Sequence, residues 1–493
     1  MRARDEINAV RIVTVTRNGA DAAFGSLGAR LKRLSPKAFV AIDTEFSGFG
    51  SDPALKEDNF QARYAALRNL AHSCGILSIG ISVFDAITPD ADMPDAADQS
   101  SGDDDTPTIR IPTHYSVSTY DFVMFCNTPF SMVADSGQFL VAHGFDFNRM
   151  FRSGIPYDRA SSETPPEPTE GGNLTWTWGK FPRGLLWRIG HSNVPVVVHN
   201  GLFDLVFLFA SFQGPLPGTL SGFISALTEC LPEGFWDSKV IAASTKERSS
   251  FLAYLFAKSV MSGRVSVKNS QGLPSTDKTD PPELNAHVKQ DVLCALYSFR
   301  GFCPRGVGCP FTHDPFKVLE EEKDGTFPKD SKEAYKRHKA QSKLIKKQRA
   351  AMQSDIAKLS KKQKKKLIET SRKRTDVDEG RNPHETSHEQ IHSGTEEDVS
   401  ELENGAHTNS PEYEQGKNER QAHTAGWDAF CTGYVFAAYR ESCSTEELDK
   451  VKDRIAVPYK PNSLLLAKSQ FADLDSLDTN GSSPQDTSAK TLH

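Results

Sequence analysis

Residues 294–313 read CALYSFRGFCPRGVGCPFTH, with Cys294, Cys303, Cys309 and His313 at gaps of eight, five and three residues. Three thiolates and an imidazole at such intervals are the donor set of one tetrahedral zinc ion. If all four bind one ion, these twenty residues must close into a compact module whatever flanks them. The alternative is a loop carrying three unrelated thiols. The chain has eight cysteines, and those outside the run are scattered. That is not the pattern of a disulfide framework, and it points to a reducing compartment.

At 493 residues the chain can hold two or three domains with ample core. Hydrophobic residues make up only 38%, so polar, disordered segments are expected beside globular ones. The start MRARDEINAV lacks the apolar stretch of a leader, and no apolar run is long enough to span a bilayer. No membrane association is expected. Strand-like runs at 36–88 are followed by an acidic, Pro/Ser/Gly-rich insert at 89–107 and, after a second ordered stretch, by another at about 159–174. Seventeen Lys or Arg stand against Glu333, Asp355 and Glu369 between 331 and 374, a local net charge of +14. An acidic, polar stretch follows, and an apolar helix pattern returns at HTAGWDAFCTGYVFAAYRES. The expected organisation is a globular domain in two parts, 1–290 and 421–460. Between them lie a finger at 291–315 and a charged, largely disordered insert at 316–420, and a disordered tail follows at 461–493.

Three short segments carry the chemistry. FVAIDTEF places Asp43 and Glu45 two apart on a strand, so both carboxylates face the same side at the edge of a core. Like charges there are costly unless a cation pairs with them, although two solvated carboxylates at a strand end would look the same. In VVVHNGLFDL a buried strand turns at His199-Asn200-Gly201, and Asp204 falls in the first turn of a helix. The helix dipole alone would favour an Asp there. Finally, His423 and Asp428 stand five apart where the last helix begins. His287 and Asp291 have the wrong gap and lack the aromatic helix that follows, so they are set aside. His199 is read as a structural hydrogen-bonder. His143, Phe145, Asp146 and Phe147 are read as shaping the fold.

In this chain order the set resembles the histidine-bearing DEDD exonucleases. The stretches HNGLFDLVFL, AHGFDFNRMFRSGIPY, FWDSK and HTAGWDAFCTGYVFA are similar to the poly(A)-specific deadenylases within them. An internal CCCH finger is similar to that of the nuclear, Cajal-body branch of the family. The resemblance implies an α/β, ribonuclease-H-like fold, a mixed central sheet with flanking helices, into which the small zinc finger is inserted. It implies 3′→5′ removal of adenosines from single-stranded RNA, with nuclear small RNAs as substrates and 5′-AMP as product. Two Mg²⁺ (or Mn²⁺) ions would sit among Asp43, Glu45, Asp204 and Asp428, with Asp43 bridging and His423 as general base; one structural Zn²⁺ would hold the finger. A nuclease-like scaffold acting as an RNA adaptor, a cytoplasmic mRNA deadenylase and a DNA exonuclease are the competing readings.

Tyr297 and Phe311 lie between zinc ligands and Phe299 is close by, so these aromatics are candidates to stack on unpaired bases. A purely structural finger is the alternative. The clusters KKQKKK (Lys361–Lys366) and RKR from Arg372 are spaced like a bipartite nuclear signal, which predicts recognition of 361–374 by the import machinery and a nuclear location. The same charge would attract phosphates.

Overall fold

In the computed structural model, residues 7, 9–49, 53–87, 112–159, 185–270, 290–328, 330–358 and 424–467 are described. The acidic insert expected at 89–107, the one at 159–174 apart from Arg159, and residues beyond 467 of the expected tail lie outside them. The start of that tail, expected to be disordered from 461, is instead ordered, with Leu464 and Leu465 paired to Arg454 and Ile455 and Leu466 buried. In chain order the elements that build the site are β1 (Ile12–Val15), α1 (Ala20–Leu31), β2 (Phe39–Phe46), α2 (Phe60–Ser73), β3 (Ile76–Ala86), β4 (Thr113–Cys126), α3 (Ala134–Ala142) and β5 (Ile155–Tyr157). They continue with β6 (Val196–Val198), α4 (Leu202–Leu208), β7 (Phe235–Asp237), α5 (Leu252–Ser262) and β8 (Val265–Asn269). After them come β9 (Gln290–Leu293), α6 (Ala295–Arg300), β10 (Phe311–Thr312), α7 (Pro315–Lys323), α8 (Ser331–Lys358) and α9 (Ala425–Arg440).

The strands β1 to β8 form one mixed sheet in the order β1-β4-β3-β2-β6-β7, with β5 and β8 also on β4. β2, β3 and β4 are antiparallel neighbours, while β2, β6 and β7 run parallel. β4 is long enough for one of its edges to serve β8 at Thr113–Val117, β1 at Thr119–Phe122 and β5 at Met124–Cys126. This is the mixed α/β architecture expected. The sheet is buried on both faces, so its strands read as near-continuous apolar runs. Val40 and Ile42 of β2 face the layer of α1, α2 and α4, whereas Phe39 and Ala41 face the opposite layer with Tyr434 and Phe436 of α9.

That second layer depends on α9, whose sequence AGWDAFCTGYVFAAYR is apolar nearly all round and which is buried along most of its length. It lies close to the sheet because β3 offers Ser78, Gly80 and Ser82 on one face. A Cβ at Gly80 would come within 1.8 Å of the Ala425 carbonyl oxygen, so main chain meets main chain there. Farther along, Gly433 of α9 accommodates the ring of Phe84.

The region 316–358, expected to belong to a disordered insert, is instead largely helical as α7 and α8. α7 is tied to the sheet domain, with Tyr254 Oη donating to Glu322 at 2.8 Å and Arg248 pairing with the same carboxylate at 3.3 Å. α8 packs Ala334 and Ile345 inward, and Gln341 bonds the backbone of Leu293 and Ala295. Three inward residues on a long basic helix leave a weak periodic signal, which is why composition dominated the sequence reading. Among the described residues no helix is long and apolar enough to cross a membrane.

Two glycine substitutions separate close approach from simple helix propensity. Gly80→Ala must displace backbone and is expected to cost about 3 kcal/mol or more. Gly25→Ala, in α1 with nothing within 4 Å of its new Cβ, is expected to be neutral or to stabilise by up to about 1 kcal/mol. Urea unfolding midpoints of the two variants check both; a silent Gly80→Ala would contradict the helix placement.

Candidate metal centre and finger

Asp43 of β2, Gly80 of β3 and Asp121 of β4 form one row across three strands, because Asp43 pairs with Gly80 and Gly80 with Asp121. Directly opposed residues point to the same face, so two carboxylates flank the gap that the glycine leaves. The start of α9 drops into that gap. Asp121 accepts a bond from the Gly426 N–H and another from Ser78 Oγ at 2.6 Å. A Cβ on Gly426 would press on Asp121 at 2.7 Å. Thr424 caps the helix by accepting the Trp427 N–H. One turn into α9, Asp428 meets Asp43 and Glu45, and donor atoms of the three carboxylates lie within 4.8 Å of one another. Asp204, in the first turn of α4, is fixed through Oδ1, which accepts Thr44 N–H at 2.9 Å and Thr44 Oγ at 2.6 Å.

The structure therefore brings Asp43, Glu45, Asp204 and Asp428 to one place, as the sequence suggested. His423 lies outside the described residues, directly before the cap Thr424. His287 also lies outside them. Asp121 was missed: a single Asp inside the apolar strand THYSVSTYDFVMFC carries no motif, and only the register reveals its neighbours.

Burial of the carboxylates pushes all their pKa values up, and the neighbouring carboxylates push further. Asp43 and Glu45 rise well above the usual range, through burial first and then Asp204, Asp428 and Asp121. Asp428 is raised to about 7 by burial, then Asp121 and Asp204. Asp204 is raised to about 6 by burial, against the lowering effect of its Thr44 bonds. Neighbouring carboxylates are the charges that raise Asp43, Glu45 and Asp428. A buried all-oxygen, all-anionic donor set suits a hard divalent cation such as Mg²⁺ or Mn²⁺ and does not suit zinc.

The turn ahead of Asp204 is held by Asp237, a fully buried residue that the sequence reading did not single out. Its Oδ1 accepts the Asn200 N–H at 2.8 Å and the Lys239 N–H at 2.9 Å, while Oδ2 takes the Ala456 N–H. This pins Asn200 in the left-handed region at φ 58°. His199 is structural, as expected: Nδ1 is 2.8 Å from Ser238 Oγ, and burial lowers its pKa to about 3, so the ring is neutral.

Donor atoms of Cys294, Cys303, Cys309 and His313 lie within 4.8 Å of one another. His313 Nε2 is buried with no hydrogen-bond partner, a nitrogen that a zinc ion in the cluster would satisfy. The aromatics expected to stack on bases divide. Tyr297 is 7% exposed and stacks on the His313 ring at 4.9 Å, and Phe311 is 1% exposed in the core. Neither offers a face to a base, because the short gaps between ligands turn them inward. Phe299 remains exposed. Together with Arg300 and Phe251 it lines a cavity of about 340 Å³ that also receives His199, Asn200 and Lys239. The finger thus borders the turn that carries Asp204.

The chain matches the pattern of the CAF1 family ribonucleases over residues 16–169 and 183–436. It is 28% identical over 127 residues to the poly(A)-specific ribonuclease PARN of Danio rerio, covering 24% of this chain and 17% of that protein. The PARN of Xenopus laevis is 27% identical over 139 residues, covering 26% and 18%. The chain thus spans less than a fifth of the length of these curated relatives. Among solved structures it is similar to the Mg²⁺- and Mn²⁺-bound Pop2p of S. pombe, at TM-score 0.34 and 19% identity over 51% of this chain and 82% of that one. It is also similar to the RNase domain of yeast Pop2, at TM-score 0.32 and 15% identity over 52% and 76%.

The raised carboxylates set the pH dependence of stability without bound metal. Unfolded, these groups titrate near pH 4, whereas folded Asp204 and Asp428 keep protons to about 6 and 7. The folded chain therefore binds more protons between those limits. The stability from this source is complete below about pH 4 and is lost as the pH rises through about 6–7. The melting temperature in Mg²⁺-free buffer is expected to fall from pH 5 to pH 8, and less steeply in Asp428→Asn. Added Mg²⁺ or Mn²⁺ should restore more at pH 8 than at pH 5. A flat profile in calorimetry, with no cation effect, would rule out the buried anionic cluster.

Proposed function

The chain belongs to the CAF1 family of ribonucleases, and from that premise we propose that it is a 3′→5′ exoribonuclease that removes adenosines from RNA ends. The observation that carries the proposal is the meeting of Asp43, Glu45 and Asp428 donor atoms within 4.8 Å, beside an Asp204 fixed by Thr44. In this reading Asp43, Glu45, Asp204 and Asp428 are the residues that would hold a pair of Mg²⁺ or Mn²⁺ ions. Such an ion pair supplies positive charge to the scissile phosphate and to the leaving 3′ oxygen. The rigid bonds from Thr44 to Asp204, and from Asp121 to the start of α9, set the carboxylates in place before substrate arrives, which lowers the ordering cost at the transition state. His423 takes the proton of the attacking water, a task suited to a side chain titrating near neutrality. The product is 5′-AMP.

The preference for adenosine rests on the similarity to poly(A)-specific ribonucleases and on the resemblance of the quoted motifs. The finger, holding one Zn²⁺, guides single-stranded RNA toward the carboxylates, with Phe299 as the exposed aromatic beside the shared cavity. The finger, together with the basic clusters at 361–374, supports a nuclear enzyme of the Cajal-body branch acting on small non-coding RNAs. Those clusters lie outside the described residues, and import through them is part of the proposal.

The test is a 5′-labelled RNA ending in about twenty adenosines, incubated with the protein with and without Mg²⁺, beside the Asp43→Ala variant. Stepwise shortening that needs Mg²⁺, stops at the non-adenosine body and falls by at least about a thousandfold in the variant is expected, since the substituted carboxylate would touch both ions. An RNA that is bound but never shortened would overturn the nuclease reading and leave an adaptor.

A further inference from the structure

α8 carries a second pattern that the nuclease site does not use. Its inward face is defined by Ala334, Gln341 and Ile345, which seat it on the finger. Exposed Lys332, Lys336, Lys339, Lys343 and Lys346 follow one another at steps of four, three, four and three residues. At about 100° per residue, these five fall within an arc of about 80°, opposite Gln341. From first to last they span about 21 Å at the helical rise of 1.5 Å per residue. Lys347 lies beside them and is also exposed. Tyr335, 65% exposed, is flanked on the helix surface by Lys332 three residues before it and Lys339 four residues after it.

A merely solvated helix face gains from Glu and Lys alternating at three- and four-residue spacing, and like charges at that spacing destabilise it. Here the like charges are aligned. A polyanion lying along it would relieve that repulsion. The helix is also placed for the anion this enzyme handles. It packs on the same finger whose Phe299 and Arg300 share a cavity with His199, Asn200 and Lys239, next to the turn leading to Asp204.

We propose that the lysine stripe of α8, with Tyr335 as a stacking platform, binds the phosphate backbone of single-stranded RNA upstream of the tail being shortened. The inference rests on the ribonuclease reading above and extends it. The 3′ end occupies the carboxylates, the strand passes the finger, and its body is retained on the stripe. Short oligonucleotides reach the first and not the second. The stripe therefore makes affinity depend on RNA length and on salt, because each phosphate contact releases counterions.

The experiment uses the full chain carrying Asp43→Ala, which leaves RNA intact, without chelator so that the finger keeps its metal. Binding of an RNA of about forty nucleotides and of a six-adenosine oligomer is measured across a salt series. The same is done with Lys336→Gln, Lys339→Gln and Lys343→Gln combined, and with Tyr335→Ala. Gln preserves helix propensity, and circular dichroism verifies that the helix persists. The triple variant is expected to bind the long RNA at least about tenfold more weakly, with the slope of log K against log salt reduced by about 2, at about 0.7 per lost contact on a single strand. Its affinity for the six-mer should be unchanged. Tyr335→Ala should weaken the long RNA about fivefold or more without changing the slope, since stacking releases no ions. Equal affinity and slope in parent and triple variant would overturn the proposal, as would a parent that does not bind the long RNA. If the triple variant then also fails to accumulate in nuclei, the stripe is an import address instead. Because binding is read in an inactive background, an unsubstituted chain whose RNA binding needs the stripe but which shortens no tail would sink the deadenylase reading and leave the stripe as an RNA-binding surface.

Discussion

The backbone of Ala425 and Gly426 rests on the bare Cα of Gly80, with Asp43 on one side of the gap and Asp121 on the other. Most of the molecule's organisation follows from that contact. Without α9 the apolar side chains on one face of the sheet, Phe39, Phe84 and Tyr115 among them, would lose their cover. Three buried aromatic side chains are worth several kcal/mol, at about 25 cal/mol per Å² of apolar surface. The chain therefore has to return across the finger and the charged region to complete its core. In doing so it delivers Asp428 to Asp43 and Glu45. Packing and the gathering of the carboxylates are one event, so the cluster cannot form in a domain that has not finished folding.

The same contact creates an electrostatic conflict. Five carboxylates, Asp43, Glu45, Asp121, Asp204 and Asp428, share a buried region, and their charges raise the cost of ionising Asp43, Glu45 and Asp428. Their local bonds do not remove the conflict, but they fix its geometry. Thr44 holds Asp204 through a single oxygen, while Ser78 and Gly426 occupy Asp121. Asp121 is thereby committed to the start of α9 and still adds its charge to the cluster. What remains is an arrangement that stores unfavourable repulsion until protons or divalent cations relieve it. Such stored cost is characteristic of functional sites and is opposed here by the two-sided core around it.

Legibility in the sequence followed the range of the physics. Asp43 and Glu45 could be read because strand alternation is a local rule, and the Cys294, Cys303, Cys309 and His313 cluster because its gaps are short. Asp204 needed only the step from a buried strand to a helix start. Asp121 and Asp237 could not be read, since their meaning depends on register and on distant partners: Gly426 for one, Asn200 and Ala456 for the other. The finger aromatics show the converse error. Position between ligands was taken for exposure, yet Tyr297 turns its ring onto His313 and Phe311 enters the core. In α8, charge density masked the three inward residues that make the segment a packed helix.

The finger is better understood as a joint than as an appendage. Gly301, at φ 70°, admits the Phe251 ring against its backbone, and Gly306, at φ 48°, sits against the carbonyl of Ala142 at the end of α3. Phe302 adds a ring contact to Phe139 of α3. A side chain at either glycine would meet both a backbone conformation it disfavours and an occupied space. The Cys3His cluster therefore sits within a module packed on α3 and on the start of α5 and bonded to α8. The fold of this module also sets where Phe299 and Arg300 stand relative to the turn before Asp204. The Cys294, Cys303, Cys309 and His313 cluster and the carboxylate cluster are separate in chemistry and joined through packing.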